Sequence, residues 1–279
     1  MKIALCLAGK IGTSGSKNRD GSSEKIVLDI GYRHYKRHIL RKNNIDVFIH
    51  CWDTQFESEI LSRYQPKAYI FEPQIYWEQP EYIKDSYHRY NNFFSRWYSP
   101  KIVMQLKREY EHKYNFQYDC VMLGRFDQAW EIDVIFDNFD MNYFYSGHWC
   151  EMFHKNKRMF KGGRGVLYDL MRQKKKIPPL VHKHKGYPHP LGRGILDFWF
   201  FSNSEMMDTL CTFSDHVNEY FRPEPGKKLF KKHEVVFPSS HIVVGHHLQE
   251  TGLLEKLKFV FHLYDDFPMV RRKYLGAKK

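Results

Sequence analysis

The chain reads as an α/β protein built on a mostly parallel sheet, and three observations predict this. Apolar runs of strand length recur between helical stretches through the first half. The clearest of them, residues 46–52 and 120–123, lack polar alternation, as suits strands covered on both faces. At 279 residues, 42% of them hydrophobic and 17% aromatic, the chain can also bury a large core.

Each element follows from a local pattern. Residues 2–9 form a first strand rather than a secretory leader, because the apolar run is very short and stops at Lys10. A loop rich in Gly, Ser and Lys fills 9–23. It lacks the GxxxxGK[ST] and GxGxxG spacings, although its backbone N–H groups could still wrap a nucleotide. A helix over 24–41 carries Ile26, Leu28, Ile30, Tyr35 and Ile39 among its apolar positions. The second strand, 46–52, ends at Asp53; a short helix over 56–64 leads to a third strand, 68–71. The aromatic-rich stretch 76–98 shows no assignable period. Ser99-Pro100 is expected to open a helix as N-cap and first helical residue, with Ile102, Val103, Leu106 and Tyr110 on one face. That helix feeds the strand 120–123, and the β-α-β-α-β alternation predicts a Rossmann-like sheet flanked by helices.

The second half reads as less regular. A strand over 143–146 precedes the breakers Gly162-Gly163, Pro178-Pro179 and His189-Pro190. Aromatic residues 195–201 suggest another strand, with Asp197 inside it. Ser202 and Glu205 fit a capping box, followed by one helix with Met206, Leu210, Phe213, Val217 and Tyr220 on a stripe. A turn region over 222–232, a helix over 239–257, a last strand over 259–263 and a basic tail from Arg271 complete the chain. With no internal repeat, a single domain over 1–279 is the expected organisation.

Composition narrows the function classes. Five widely spaced cysteines with no CxxC predict buried free thiols and a cytosolic setting. No apolar run approaches the ~20 residues that span a bilayer. The net charge of +12 is concentrated: residues 155–193 hold twelve Lys/Arg and one acid, Asp169. That segment is either a solvated insertion or a basic loop that grips an anionic donor, acceptor or lipid surface. There is no GxSxG, HExxH or zinc-type cysteine spacing.

The candidate chemistry lies at strand ends. Arg125 and Asp127 follow the strand 120–123, where ligands of parallel sheets bind, and period-two alternation would put both on one face. A carboxylate beside a guanidinium suits a metal-chelated diphosphate; the alternative is a strand-end salt bridge. Asp53 stands ready for a base or ribose contact, or as a helix cap. Asp197, in apolar surroundings, is either a paired structural residue or a catalytic group. His246, His247 and Glu250 could complete a divalent metal site with Asp127, or are surface residues.

Several of these pieces occur in an order that resembles a known family. They are Asp46-Val-Phe-Ile-His-Cys-Trp-Asp53, Tyr98-Ser99 with Lys107-Arg-Glu-Tyr-Glu111, Tyr118-Asp119 through Arg125-Phe-Asp127, and Asp197-Phe-Trp-Phe-Phe-Ser-Asn-Ser204 with Met207. Over residues 1–220 the chain is similar to glycosyltransferases of bacteria, phages and large DNA viruses found near surface-polysaccharide genes. The resemblance implies a GT-A-like fold in which a strand-end DxD motif holds Mn²⁺ or Mg²⁺ on a nucleotide-sugar diphosphate. Asp127 matches the last aspartate of that motif, and Arg125 replaces the first. Asp197 takes the place of the acceptor-side carboxylate, a general base if the enzyme inverts.

The expectations are therefore a cytoplasmic transferase (host cytoplasm if viral) in polysaccharide biosynthesis, with 1–140 as nucleotide-binding half and 141–279 as acceptor half. Its partners would be a nucleotide sugar and a glycan acceptor, with no nucleic acid and no transmembrane segment. Catalysis falls to Asp197 and Arg125, donor binding to Ala8, Gly9, Lys10, Asp53, Arg125 and Asp127, and metal binding to Asp127 and His246. The alternative is a non-enzymatic protein that binds polyanions, nucleic acid or acidic polysaccharide, through the basic segment and exposed aromatics.

Overall fold

The computed structural model describes residues 1–15, 23–81, 87–148, 153–154, 157–158, 195–220, 240–263 and 265–276. The basic segment 155–193, apart from one short strand, and the predicted turn 222–232 lie outside them.

β1 (Ile3–Gly9) is an interior strand of the sheet, buried along all but its last residue. It pairs in parallel with β2 (Ile45–Cys51) on one side and β4 (Cys120–Gly124) on the other. β3 (Ala68–Phe71) extends the β2 edge. Beyond β4 come β8 (Phe200–Ser202), antiparallel to its neighbours, then β5 (Phe144–His148) and β9 (Leu257–His262). The order is β3-β2-β1-β4-β8-β5-β9; a separate hairpin joins β6 (Phe153–His154) to β7 (Lys157–Arg158). The expected α/β architecture, a mostly parallel sheet flanked by helices, is what forms. Strands from both halves of the chain complete one sheet.

Alternation along β1 explains the two layers. Ile3, Leu5 and Leu7 face α1 (Lys25–Tyr35, widening into a π turn over Lys36–Leu40) and α2 (Glu57–Tyr64). Ala4, Cys6 and Ala8 face α3 (Tyr87–Lys113). α1 and α2 cover one face because their connections run one way from β1 to β3. The crossover from β3 back to β4 puts α3 on the other. Cys6, Cys51, Cys120 and Cys211 are buried free thiols, as expected. Among the described residues no helix is long and apolar enough to cross a membrane.

Four local expectations need correcting. Ser99-Pro100 does not open a helix: α3 runs through Pro100. Tyr90, Phe93, Phe94 and Trp97 continue the buried face upstream, and Ser99 Oγ donates to the Ser95 carbonyl at 3.2 Å. Ser202 is not the cap of the next helix, α4 (Ser204–Cys211). It belongs to the β8 ladder, and Asn203 caps, accepting from the Met206 N–H at 2.9 Å. The stripe from Met206 to Tyr220 spans two helices, α4 and α5 (Phe213–Tyr220), parted at Thr212. The region 239–257 is likewise divided, into α6 (Ser240–Glu250) and α7 (Leu253–Lys256), by Gly252 in the left-handed conformation at φ +74°.

Where α4, α5 and α6 meet lies His247, fully buried. Its Nδ1 accepts from the Tyr220 hydroxyl at 2.8 Å, and its Nε2 faces the Thr209 carbonyl at 3.3 Å. This fixes a neutral ring with the proton on Nε2. Burial lowers its pKa to about 4, helped by His216 and His246 and opposed by the Thr209 contact. The unfolded chain therefore binds more protons than the native state below pH ~6.5, so stability present above that pH is lost on acidification. Between pH 7 and 4 His247 should account for a fall of about 3 kcal/mol, and His247→Gln should flatten it. Urea unfolding across that range measures both; equal slopes for the two proteins would refute the assignment.

Candidate functional site

The order β3-β2-β1-β4 contains a topological switch between β1 and β4, and ligands of such sheets bind outside the carboxyl ends at that point. Register brings four segments to this edge. Gly9 pairs with Cys51, and Leu7 with Gly124, so the loops led by Lys10, Trp52 and Arg125 emerge together. Because β8 is antiparallel and Phe200 pairs with Leu123, the residues before it, Asp197 to Trp199, arrive at the same edge. Asp197 thus precedes the strand rather than lying within it.

Asp53 organises the loop after β1. Its Oδ2 accepts from the Ile11 N–H and the Ser23 hydroxyl, each at 2.6 Å, and the Ser23 oxygen accepts from Gly12 at 3.1 Å. Its side chain caps no helix. Ala8 is buried within β1, Gly9 takes φ +107° and Lys10 is exposed. Gly12, at φ +100°, lies against Asp127: an added Cβ would stand 3.4 Å from its side chain. The loop after β1 and the loop after β4 therefore share one wall.

Arg125 and Asp127 meet each other. Nε and Nη2 of Arg125 donate to the two carboxylate oxygens of Asp127, each at 2.9 Å, a fork-to-fork pair. The Asp127 side chain is 6% exposed and that of Arg125 25%, so the arginine is the more accessible partner. It also lies over the Phe198 ring at 5.2 Å. Burial lowers the pKa of Arg125, but the Asp127 carboxylate outweighs it and raises the net value. α1 fixes this loop from behind. The Tyr35 hydroxyl donates to the Arg125 carbonyl at 2.8 Å, and Gly31 lies so close that a Cβ there would stand 2.1 Å from the Phe126 oxygen. On the other side Val270 donates to the Asp127 carbonyl at 2.9 Å, starting α8 (Val270–Lys273) and bringing half-buried Arg271 to the pair. Arg271 has its pKa lowered by burial and by Arg125, with Asp127 opposing.

Asp197 forms the floor. Ser240 donates to its Oδ2 at 2.6 Å, and the Ser240 oxygen accepts from the Trp97 indole at 2.9 Å. His241 Nδ1 stands 3.0 Å from Asp197 Oδ1 and 3.1 Å from the Ile195 carbonyl. The Asp197 N–H reaches the same nitrogen at 3.3 Å, so Nδ1 joins His241 to both the backbone and the carboxylate of Asp197. Burial would raise the pKa of Asp197, but His241, Arg96 and Ser240 together hold it well below the carboxylate range. Arg96, on α3, donates through Nη2 to the Asp197 carbonyl. Its Nε lies 3.8 Å from Asp197 Oδ2, beyond hydrogen-bond length, and Nε and Nη1 are buried with no hydrogen-bond partner among the described residues. Burial lowers the Arg96 pKa to about 10, with Asp197 opposing and Arg125 adding to it.

No protein-family model matches the chain, and no curated protein does. Among solved structures it is similar to mouse xyloside xylosyltransferase 1 in its apo form. The identity is 12%, covering 93% of this chain and 84% of that one, at a TM-score of 0.43. That likeness assigns no residue.

His246 contacts the Tyr220 ring at 5.0 Å and pairs with Glu250 at 3.9 Å. The histidine that α6 brings to the site is His241, five residues earlier in the sequence. Arg96, His241 and Arg271 carried no local sequence signal; each is delivered by a helix from elsewhere in the chain. The Mn²⁺ or Mg²⁺ implied by the resemblance does not fit the described residues at this site. A hard cation needs several oxygen ligands with free lone pairs. Both oxygens of Asp127 are held by Arg125, and those of Asp197 by Ser240 and His241. Among the described residues no group of three His, Cys, Asp or Glu is placed to hold a metal ion.

Proposed function

We propose that the protein is a glycosyltransferase that moves a sugar from a nucleotide-sugar donor to a hydroxyl of a glycan or similar acceptor. The observation that carries this reading is the cluster of Arg96, Arg125 and Arg271 at the carboxyl edge of the switch point. It is only partly balanced by Asp127 and Asp197. A net cationic crevice in that position suits a dianionic leaving group. In this reading the nucleoside lies over the ends of β1 and β2, near Ala8, Gly9, Lys10 and the loop held by Asp53. The diphosphate faces Arg125, with Asp127 fixing the guanidinium.

Sugar transfer builds negative charge on the departing diphosphate, and preorganised cations there stabilise the transition state more than the ground state. On the acceptor side Asp197 is held by Ser240 and stands 3.0 Å from His241. This pair is placed to receive the proton of the acceptor hydroxyl. Residues 1–140 supply most of the donor side and 141–279 the acceptor side, with Arg271 reaching back to the donor.

A thermal-shift panel of UDP-, GDP-, CMP- and dTDP-sugars tests the reading. A donor at ~100 times its Kd adds about 2.7 kcal/mol of stability, so one nucleotide class should stand out. A flat panel with a shift from heparin or DNA would favour the polyanion-binding alternative instead.

A further inference from the structure

Three guanidiniums converge at this site where the resemblance leads one to expect a metal-binding carboxylate pair. They do not have equal partners. Arg125 gives Nε and Nη2 to Asp127, and its side chain is 25% exposed. Arg271 is half-buried and close enough to Asp127 and Arg125 to feel both charges. Arg96 is the most telling: its side chain is 12% exposed, yet Nε and Nη1 are sealed from solvent with no acceptor among the described residues. Buried guanidinium donors without acceptors are costly, and an ion that supplies acceptors relieves that cost. The acceptor they lack is anionic, since Arg96 and Arg125 already repel each other and a further anion relieves both.

We infer that Arg96, Arg125 and Arg271 bind a diphosphate directly, doing by guanidinium contacts what a divalent cation does where two carboxylates are available. The identity of the ligand rests on the donor reading above; the existence of the anion site does not. Asp127 is then a positioning residue. It holds the Arg125 fork in the plane that meets phosphate oxygens, and it coordinates nothing.

Isothermal titration of the full chain with inorganic pyrophosphate, in EDTA and again in Mn²⁺ or Mg²⁺, tests this. Binding is expected in EDTA, with no loss on removing the metal. Arg271→Gln, at a half-buried position where folding is safe, should weaken it about tenfold, the value of one charge-assisted contact. Arg96→Gln should weaken it at least as much, and Arg96→Lys, which keeps the charge but not the fork, should restore part of the loss. Asp127→Asn should weaken binding equally with and without metal, whereas loss of a metal ligand would show only when metal is present. Pyrophosphate binding that requires Mn²⁺ or Mg²⁺ overturns the inference while leaving the donor reading intact. So does its failure to bind at all when nucleotide sugars do. Metal-free pyrophosphate binding with no response to any nucleotide sugar upholds the anion site and removes the donor reading.

Discussion

Arg125→Ala is expected to lower sugar transfer by about 10²–10³-fold, the cost of removing one preorganised charge from a developing oxyanion. It should also destabilise the fold by about 3 kcal/mol, because it leaves Asp127 in a buried site without its partner. The two effects have separate causes and can be separated. Asp127 is 6% exposed and gives both oxygens to Arg125, so truncating the arginine strands a carboxylate that water can scarcely reach. Removing the carboxylate as well, in Arg125→Ala/Asp127→Ala, eliminates the stranded charge. It should recover most of the lost stability, as paired sites couple in a double-mutant cycle. It should recover none of the turnover, since the guanidinium facing the donor is still absent. Urea unfolding and initial rates on all four proteins make the comparison. Turnover restored in the double variant would mean that Arg125 matters only for holding Asp127.

The same pair shows how far the sequence could be read. Cys120 to Leu123 is an unbroken apolar run, so a strand buried on both faces, and a ligand edge at its end, followed from the residues alone. That reading found Arg125 and Asp127 and left open whether they bind a ligand or each other. The structure shows them bound to each other, with the arginine the more exposed of the two. The partners that give the site its charge were not legible, because they are tertiary. Arg96 sits in an aromatic stretch whose helical period is masked by buried residues on more than one side. His241 was overshadowed by His246 and His247, neighbours on the same helix that point elsewhere. Arg271 lies in a basic tail that looks like solvent-facing charge until Val270 pairs with Asp127. Helix limits failed where two local signals compete: Ser99-Pro100 fits a helix start as well as an interior proline, and only the upstream aromatic face decides.

Lys107→Met is expected to cost about 4 kcal/mol, more than most single substitutions, although Lys107 is far from any chemistry. Lys107, Glu111 and Ser204 belong to the ordered set that carries the family resemblance, and the structure gives them a structural task. Lys107 is completely buried between α3 and α4, with Nζ 2.5 Å from Ser204 Oγ, 2.9 Å from Glu111 Oε2 and 3.0 Å from Asp208 Oδ2. Glu111 in turn accepts from Ser204 and from the Tyr118 N–H, each at 2.9 Å, which ties the network to the start of β4. Methionine matches the volume of lysine but leaves Glu111 without its cation and Asp208 with Arg108 alone, 3.4 Å away. Burial already raises the pKa of Asp208 against the opposing pull of Lys107 and Arg108. Without Lys107 that pull weakens and the pKa climbs further. Protonation then offers the variant an escape that the parent does not need, so the stability gap between them should narrow as pH falls from 8 to 5. Glu111→Gln in the Lys107→Met background, which removes one of the stranded charges permanently, should narrow the gap at pH 8 as well. Urea unfolding of the three proteins at both pH values tests the point. A gap that is the same at pH 5 and pH 8 would show that lost packing, rather than unpaired charge, sets the cost.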